Sequence, residues 1–235
     1  MPTVSSGCEV LDKLLEGGFE PGVITTVFGP AGSGKSNIVM LAAVSTANKG
    51  KKVVFIDTEN SLSAERIKQL EPQKYKYLMK NIIILDPTNF EEQKSHFKQL
   101  SDLASTEKPS LIVVDSMVML YRLQLGSEAP IETTNKEMAN QLATLSEIAR
   151  RRDIPVLVTN QVYADFDKPN DVRMVGGDLL KYWSKCIVKL ERTDGTRRAS
   201  VWKHRSLPSG KEVYFDIKDS GLTEVQRPKK KFSLF

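Results

Sequence analysis

The stretch FGPAGSGKS, from Phe28 to Ser36, limits what this chain can fold into more than any other. It matches the GxxxxGK[ST] pattern, follows an apolar β-type run over 23–28 and precedes an aliphatic, alanine-rich segment over 37–44 that is typical of a helix. Glycines between a strand and a helix let successive backbone N–H groups point into one concavity, which binds anions. The pattern therefore predicts a site for a nucleoside triphosphate.

The predicted phosphate site consists of the loop and the start of the following helix. The Lys35 side chain can reach the β- and γ-phosphates, and the Ser36 hydroxyl suits Mg²⁺. We therefore expect ATP and Mg²⁺ as cofactors. A glycine-rich turn that matches by chance is the alternative, and the flanking strand and helix argue against it. The residues expected to contact the nucleotide are Gly29, Pro30, Ala31, Gly32, Ser33, Gly34, Lys35, Ser36 and Asn37.

The net charge of +5 is concentrated at the C-terminus, where four basic residues follow the last acid, Glu224. We therefore expect one domain over 1–225 and a basic, disordered tail over 226–235. The tail ends with two aromatic residues, which suit docking on a partner, but a solubilising role fits better. Any DNA affinity of the domain must come from local clusters, such as Arg150–Arg152 or Arg197 and Arg198 with Lys203 and Arg205.

The sequence shows no pattern typical of a membrane span, a secretory signal or a cysteine-based metal site. No apolar run approaches 18 residues, and no basic leader precedes an apolar core. Cys8 and Cys186 lie far apart, and neither His96 nor His204 has a metal-ligand spacing. These patterns predict a cytoplasmic protein without membrane association or a cysteine-based metal site.

Apolar strands alternate with helices up to about residue 161, which predicts an α/β fold with a mostly parallel sheet and helices on both faces. From Trp183 the chain shows short strands without helices, which predicts an antiparallel hairpin extension at one sheet edge. Two segments that follow strands, Met119 to Ile131 and Val162 to Gly177, show no regular pattern and are predicted to be loops.

Two acids follow apolar strands at the edge where open parallel sheets bind their ligands. Asp115 could hold Mg²⁺ alongside Ser36, directly or through water. Glu59 could orient or deprotonate the water that attacks a phosphate. Either carboxylate could instead only cap a following helix.

Three further polar residues have two interpretations each. Gln161 ends a strand and could sense the γ-phosphate, or it could simply anchor a loop. Lys203 and Arg205 end a predicted edge strand. They could form an arginine-finger device that reaches a neighbouring subunit's nucleotide and so requires assembly, or they could lie on a solvated face.

The motifs GPAGSGKS, IDTE ending at Glu59, LIVVDS ending at Ser116, LYR ending at Arg122 and VTNQV around Gln161 occur in one order. In this order and spacing they resemble the RecA-type recombinases of the archaeal and eukaryotic kind, over residues 3–225. The resemblance implies a RecA-type P-loop ATPase core. It also implies that Lys35, Ser36, Glu59, Asp115 and Gln161 have the roles proposed above.

The resemblance adds three expectations. Arg66 would lie near the nucleotide base. The segments 119–131 and 162–177 would bind DNA, with Arg122, Lys168 and Arg173 as the basic residues. Lys203 and Arg205 match the family's KxR pair.

The resemblance begins almost at Met1, so we expect no N-terminal DNA-binding domain like that of full-length recombinases, and the two loop segments are poor in bases. The resemblance therefore implies an accessory protein of DNA repair and homologous recombination, with slow Mg²⁺-dependent ATP hydrolysis. Single-stranded DNA and either a second copy, a recombinase or another repair protein are the expected partners. A KaiC-like regulatory ATPase without a DNA role is the alternative.

Overall fold

The described strands pair into one sheet, and its central parallel strands are buried because helices cover both faces. The structure, a computed structural model, describes residues 3–127, 130–164, 172–193 and 195–228. Within these residues the strands are β1 (Ile24–Gly29), β2 (Val53–Asp57), β3 (Ile82–Leu85), β4 (Leu111–Asp115), β5 (Val156–Ala164), β6 (Val172–Met174), β7 (Ser184–Thr193), β8 (Thr196–Lys203), β9 (Glu212–Lys218) and β10 (Gly221–Glu224).

The strand order is β10-β9-β8-β7-β1-β5-β4-β2-β3, with β6 paired to β5. The strands from β7 to β3 along this order are parallel to one another, whereas β7, β8, β9 and β10 pair in antiparallel fashion. This architecture confirms the predicted parallel sheet with an antiparallel C-terminal extension. Because β1, β2, β4 and β5 are parallel, their carboxyl ends lie at one edge of the sheet.

The helices divide between the two faces of the sheet. Alternate residues of β2 show the division, since Val53 and Phe55 pack against one set of helices while Val54 and Ile56 pack against the other. The first set is α1 (Glu9–Leu14), α2 (Lys35–Asn48), α3 (Ala64–Leu70) and α4 (Tyr75–Asn81). The second set is α5 (Phe90–Glu107), α6 (Met119–Leu125), α7 (Ile131–Arg152) and α8 (Gly177–Trp183).

Side-chain caps explain where two helices begin. Ser63 accepts a hydrogen bond from the Arg66 amide at 3.1 Å before α3, and Asn89 accepts one from the Glu92 amide at 2.9 Å before α5. None of the helices in the described ranges is long and apolar enough to cross a membrane.

The prediction that 119–131 and 162–177 are loops is wrong for much of both segments. The first contains α6, whose Leu120 and Tyr121 are buried in the core beneath α5 and α7. The second contains the end of β5, the strand β6 and the start of α8. These elements are short, and β6 is specified by pairing with β5, so local periodicity could not reveal them. Of the predicted tail, residues 229–235 lie outside the described residues.

Candidate nucleotide-binding site

Two glycines of the loop between β1 and α2 stand where a side chain is disfavoured, one because of close backbone and one because of its positive φ. A Cβ on Gly29 would lie 2.4 Å from the Leu190 carbonyl oxygen on β7. Gly34 caps α2 with a φ of 103° and no side-chain cap. The N–H groups in the first turn of α2 have no partner within the helix, so the loop offers them and the positive helix end to an anion.

Lys35 is the first residue of α2 and is buried beneath this loop. Its Nζ donates to the carbonyl oxygens of Gly29 and Pro30, each at 3.0 Å. Burial lowers the pKa of Lys35, whereas the negative charges of Glu59 and Asp115 raise it. An ammonium has three N–H donors, so one remains available to a phosphate in the cavity.

Asp115 ends β4 and is 1% exposed. It accepts hydrogen bonds from Ser61 Oγ at 2.5 Å and from the Thr159 hydroxyl. Burial raises the pKa of the Asp115 carboxyl, and hydrogen bonding to Ser61, Thr159 and Ser36 opposes that rise. The structure thus brings Ser36 and Asp115 together, as the sequence predicted.

The donors at this point fit Mg²⁺ and a phosphate. A buried carboxylate beside a serine hydroxyl supplies the hard oxygen ligands that Mg²⁺ requires. In the same loop, Ser33 Oγ is buried and has no hydrogen-bond partner within the described residues, so it can donate to a bound oxyanion.

Glu59 lies two residues beyond β2, and hydrogen bonds fix its carboxylate. Its Oε1 accepts from Ser116 Oγ at 2.7 Å and from Gln161 Nε2 at 3.0 Å. Its Oε2 makes no hydrogen bond to the described part of the chain, so this oxygen can accept a proton from a water. Ser116 therefore positions Glu59. The sequence motifs include Ser116 at the end of LIVVDS but do not predict this role.

Asp57 holds the turn that carries Glu59. Its Oδ1 accepts from the amides of Glu59 at 3.3 Å and Ser61 at 3.0 Å, and its Oδ2 accepts from the Leu62 amide at 2.8 Å. Sequence reasoning missed this role, although an acid at a strand end followed by polar residues is a signal for such a turn.

A cavity of about 490 Å³ unites the predicted residues. Lys35, Ser36, Glu59 and Gln161 all line it, as do the amides of the loop. Two lining residues were not predicted for it, Arg197 from β8 and Ile217 from β9, because their proximity depends on the C-terminal strands. The full lining is Ala31, Gly32, Gly34, Lys35, Ser36, Asn37, Glu59, Gln161, Arg197 and Ile217.

Arg66 lies beside this cavity and is not among its lining residues. Its guanidinium donates to the carbonyl oxygens of Lys218 at 2.8 Å and Asp219 at 3.1 Å. These carbonyls belong to the turn after β9, the strand whose Ile217 lines the cavity. A contact between Arg66 and a nucleotide base stays a prediction.

Lys203 and Arg205 lie at the opposite end of the sheet, because β8 runs antiparallel to β7. Lys203 Nζ donates to the carbonyl oxygens of Lys181 at 2.7 Å and Ser184 at 2.9 Å. Arg205 forms an ion pair with Glu20. Neither side chain lines the cavity of its own chain, so their action on a neighbour's nucleotide stays a prediction.

The prediction of one basic cluster formed by Arg197, Arg198, Lys203 and Arg205 is wrong. Arg197 lines the nucleotide cavity, whereas Arg198 is paired with Glu191 at 2.5 Å and with Glu212 at 3.0 Å. The alternation of side chains along β8 and the length of the strand separate these residues.

Glu20, Cys186 and His204 form a polar cluster beneath Arg205, with ligand-type atoms all within 4.8 Å of one another. His204 Nδ1 accepts from the amides of Ser206 at 3.2 Å and Leu207 at 3.1 Å. The proton of the neutral ring therefore resides on Nε2, the nitrogen that faces Glu20 at 3.8 Å. Burial raises the pKa of Cys186 to about 12. Glu20 is already paired with Arg205, and His204 Nδ1 already accepts from two amides, so internal contacts hold this cluster together.

The three candidate DNA-binding residues are dispersed. Arg122 is exposed in the last turn of α6. Arg173 belongs to β6, where its backbone pairs opposite Tyr163. Lys168 lies outside the described residues.

A phosphate loop after a central strand, acids at the ends of neighbouring parallel strands and an antiparallel C-terminal extension define a RecA-type P-loop fold. The comparisons with known proteins agree. A model of the Rad51 family matches residues 1–225. The chain therefore belongs to the Rad51 family, among the DNA repair and recombination proteins named RadB.

Two relatives and one solved structure illustrate the similarity. "DNA repair and recombination protein RadB" of Methanococcoides burtonii is 46% identical over 92% of this chain and 96% of its own length. The protein of the same name from Methanocaldococcus jannaschii is 42% identical over 91% and 98%. The "Crystal structure of the RadB recombinase" has a TM-score of 0.79 and 33% identity, and covers 95% of this chain and 100% of its own. The resemblance predicted from the motifs is confirmed.

Proposed function

We propose that this chain binds ATP with Mg²⁺, hydrolyses it slowly and uses the state of the nucleotide to control DNA binding in repair and recombination. One observation carries the proposal: Lys35, Ser36, Glu59 and Gln161 line a single cavity of about 490 Å³ over the phosphate loop. Cations, a hydroxyl, a carboxylate and an amide in one polar cavity are the groups that phosphoryl transfer to water requires.

In the proposed reaction, Glu59 Oε2 accepts a proton from a water molecule whose oxygen attacks the γ-phosphorus. A bond forms between that oxygen and phosphorus as the bond from phosphorus to the β,γ-bridging oxygen breaks. The bridging oxygen keeps the electron pair, so the products are ADP and inorganic phosphate, and Glu59 later returns its proton to solvent. Lys35 and the loop amides stabilise the charge on the phosphate oxygens.

Ser36 and Asp115 are the residues that would hold Mg²⁺. When bound, the ion neutralises phosphate charge and orients the phosphate oxygens. Burial raises the pKa of Asp115, and the positive charge of a divalent cation beside it would lower that pKa and so favour the ionised carboxylate.

Gln161 would connect the nucleotide to DNA. Its side chain contacts Glu59, and its carbonyl oxygen accepts a hydrogen bond from the Val175 amide at 3.2 Å. The next residue, Val162, pairs with Met174 in the β5–β6 ladder. A shift of Glu59 on hydrolysis would therefore be transmitted to the ladder that flanks residues 165–171, where Lys168 is expected to bind DNA.

We further propose a cytoplasmic accessory role with single-stranded DNA and a second copy, a recombinase or another repair protein as partners. The similarity to proteins named for DNA repair and recombination supports this role. The few basic residues in the expected DNA segments support modest, salt-sensitive affinity.

The test compares wild type with Lys35→Ala and the exposed control Lys98→Ala. Isothermal titration with MgATP should give binding in wild type and Lys98→Ala and none in Lys35→Ala, because the buried cation at the phosphates is lost. Filter binding to single-stranded DNA over a salt series should show retention that depends on nucleotide. ATP binding without DNA retention even at low salt would favour the KaiC-like regulatory alternative, and no heat with MgATP would reject both.

A further inference from the structure

The hairpin formed by β7 and β8 brings the C-terminal part of the chain to the phosphate loop. β7 pairs with β1 in parallel, and its Leu190 carbonyl oxygen lies against Gly29. Thr193 pairs with Thr196 at the tip of this hairpin. The tip therefore lies a few residues beyond the end of β1, where the phosphate loop begins. The residues next to this tip therefore face the loop from the side opposite to β5.

Arg197 contacts the phosphate loop directly. Its Nε donates to the Gly32 carbonyl oxygen at 3.1 Å, and the side chain lines the same cavity as Lys35, Glu59 and Gln161. This bond fixes the plane of the guanidinium through one nitrogen. Within the described residues, the four N–H donors of the two terminal nitrogens make no hydrogen bond, and a guanidinium of this kind matches the geometry of a phosphate.

The charge balance around Arg197 differs from that around its neighbour. Arg198 is satisfied by the carboxylates of Glu191 and Glu212. Arg197 instead pairs directly across the hairpin with Arg192, whose Nη1 lies 3.7 Å from a Cβ built on Gly32. Like charges directly opposite in an antiparallel pair are unfavourable. In the described part of the chain, no carboxylate forms an ion pair with either arginine.

We propose that Arg197 is a phosphate-binding residue of the nucleotide site, supplied by the same chain that supplies the phosphate loop. Its anion is the polyphosphate of the bound nucleotide, because the side chain lines the nucleotide cavity and already bonds to the loop that cradles phosphate. The proposal rests on ATP being the ligand. Since Arg197 acts within one chain, nucleotide affinity does not require assembly, in contrast to any action of Lys203 and Arg205.

Titration calorimetry with MgATP tests the proposal on wild type, Arg197→Ala, Arg197→Lys and the exposed control Lys98→Ala, all at a protein concentration where light scattering shows single chains. We expect Arg197→Ala to weaken MgATP binding by about tenfold or more, the loss typical of a charge-assisted hydrogen bond. Arg197→Lys should recover part of the affinity, and Lys98→Ala should match wild type. Inorganic tripolyphosphate, which has no nucleotide base, should rank the four proteins in the same order of affinity.

The result separates this proposal from the function on which it rests. If wild type binds no MgATP, the function itself fails. If wild type binds MgATP and both Arg197 variants bind it equally well, only the role of Arg197 is overturned. Unchanged MgATP affinity with weakened single-stranded DNA binding would also overturn it, because the anion would then be the DNA backbone. Circular dichroism melting establishes whether each variant is folded. If Arg197→Ala does not fold, the comparison of Arg197→Lys with wild type still decides the test.

Discussion

The two ends of the sheet carry charged residues in different ways. At the carboxyl end, Lys35 and Asp115 are buried, and the carboxylate of Glu59 is held by Ser116 and Gln161 around a cavity. At the opposite end, Arg205 is half exposed, is paired with Glu20 and lines an open cavity of about 490 Å³ whose lining, among the described residues, includes no carboxylate.

The comparison shows which end can act within a single chain. At the carboxyl end, Lys35 and Ser33 keep hydrogen-bond donors that the described residues do not use, and the cavity beside them can hold an oxyanion. The opposite end has its cations engaged by Glu20 and by carbonyls of α8, so any use of them on a neighbour must first exchange those bonds.

Glu59→Gln should reduce ATP turnover by about 10²- to 10⁴-fold while MgATP affinity is retained, because the amide cannot accept the water's proton. The exposed variant Glu91→Gln on α5 is the matched control and should turn over like wild type. Phosphate release and titration calorimetry give the two quantities. Normal turnover in Glu59→Gln would place the base elsewhere.

Asp115→Asn should abolish most of the stabilisation given by Mg²⁺ and nucleotide. For a ligand at a hundred times its Kd, that stabilisation is about 2.7 kcal/mol in wild type. Urea unfolding with and without MgATP measures it. If MgATP stabilised the variant as much as it stabilises wild type, Asp115 would not be a metal-binding residue.

The Asp115 carboxyl should also make the free energy of unfolding of the ligand-free protein depend on pH. Burial raises the pKa of Asp115 above its ordinary value of 3.8, so the folded state binds this proton more tightly than the unfolded state. The resulting stability is fully present below the unfolded pKa and is lost as the pH rises through the folded pKa. Urea midpoints over this window should therefore fall with rising pH in wild type and change less in Asp115→Asn. Parallel profiles would contradict the assignment.

Arg205→Ala should have the smallest effect on an isolated chain. The partly exposed pair with Glu20 accounts for about 0.5–1 kcal/mol of unfolding free energy, measured by urea denaturation. MgATP affinity should not change in dilute protein. If Arg205 acts on a neighbour, turnover should drop only at concentrations where chains assemble, and added Lys35→Ala chains, which keep Arg205, should restore it. A loss in dilute protein would contradict action between chains.

The sequence was sufficient for the parts of the molecule that depend on local patterns. The buried strands β2 and β4, the phosphate loop and the acids at strand ends follow from apolar runs and from the spacing of glycines and lysine. Because parallel strands end at one edge, the proximity of Ser36 and Asp115 could also be predicted, and the structure places these two side chains together.

The missed features depend on contacts between distant parts of the chain. Arg197 reaches the phosphate loop only because β7 pairs with β1, and β6 exists only through its pairing with β5. Arg66 carries no periodic signal for its bonds to the turn after β9. Burial of α6 depends on α5 and α7, whose positions no seven-residue window can specify.

Asp57 has a consequence for how fast the reaction could begin once substrate arrives. One carboxylate accepts hydrogen bonds from three main-chain amides around Glu59, the proposed general base, so the turn that carries Glu59 is already held in the free protein. Little reorganisation of this turn would then accompany substrate entry, and a slow turnover would have to originate in product departure or in movement of the β5–β6 ladder.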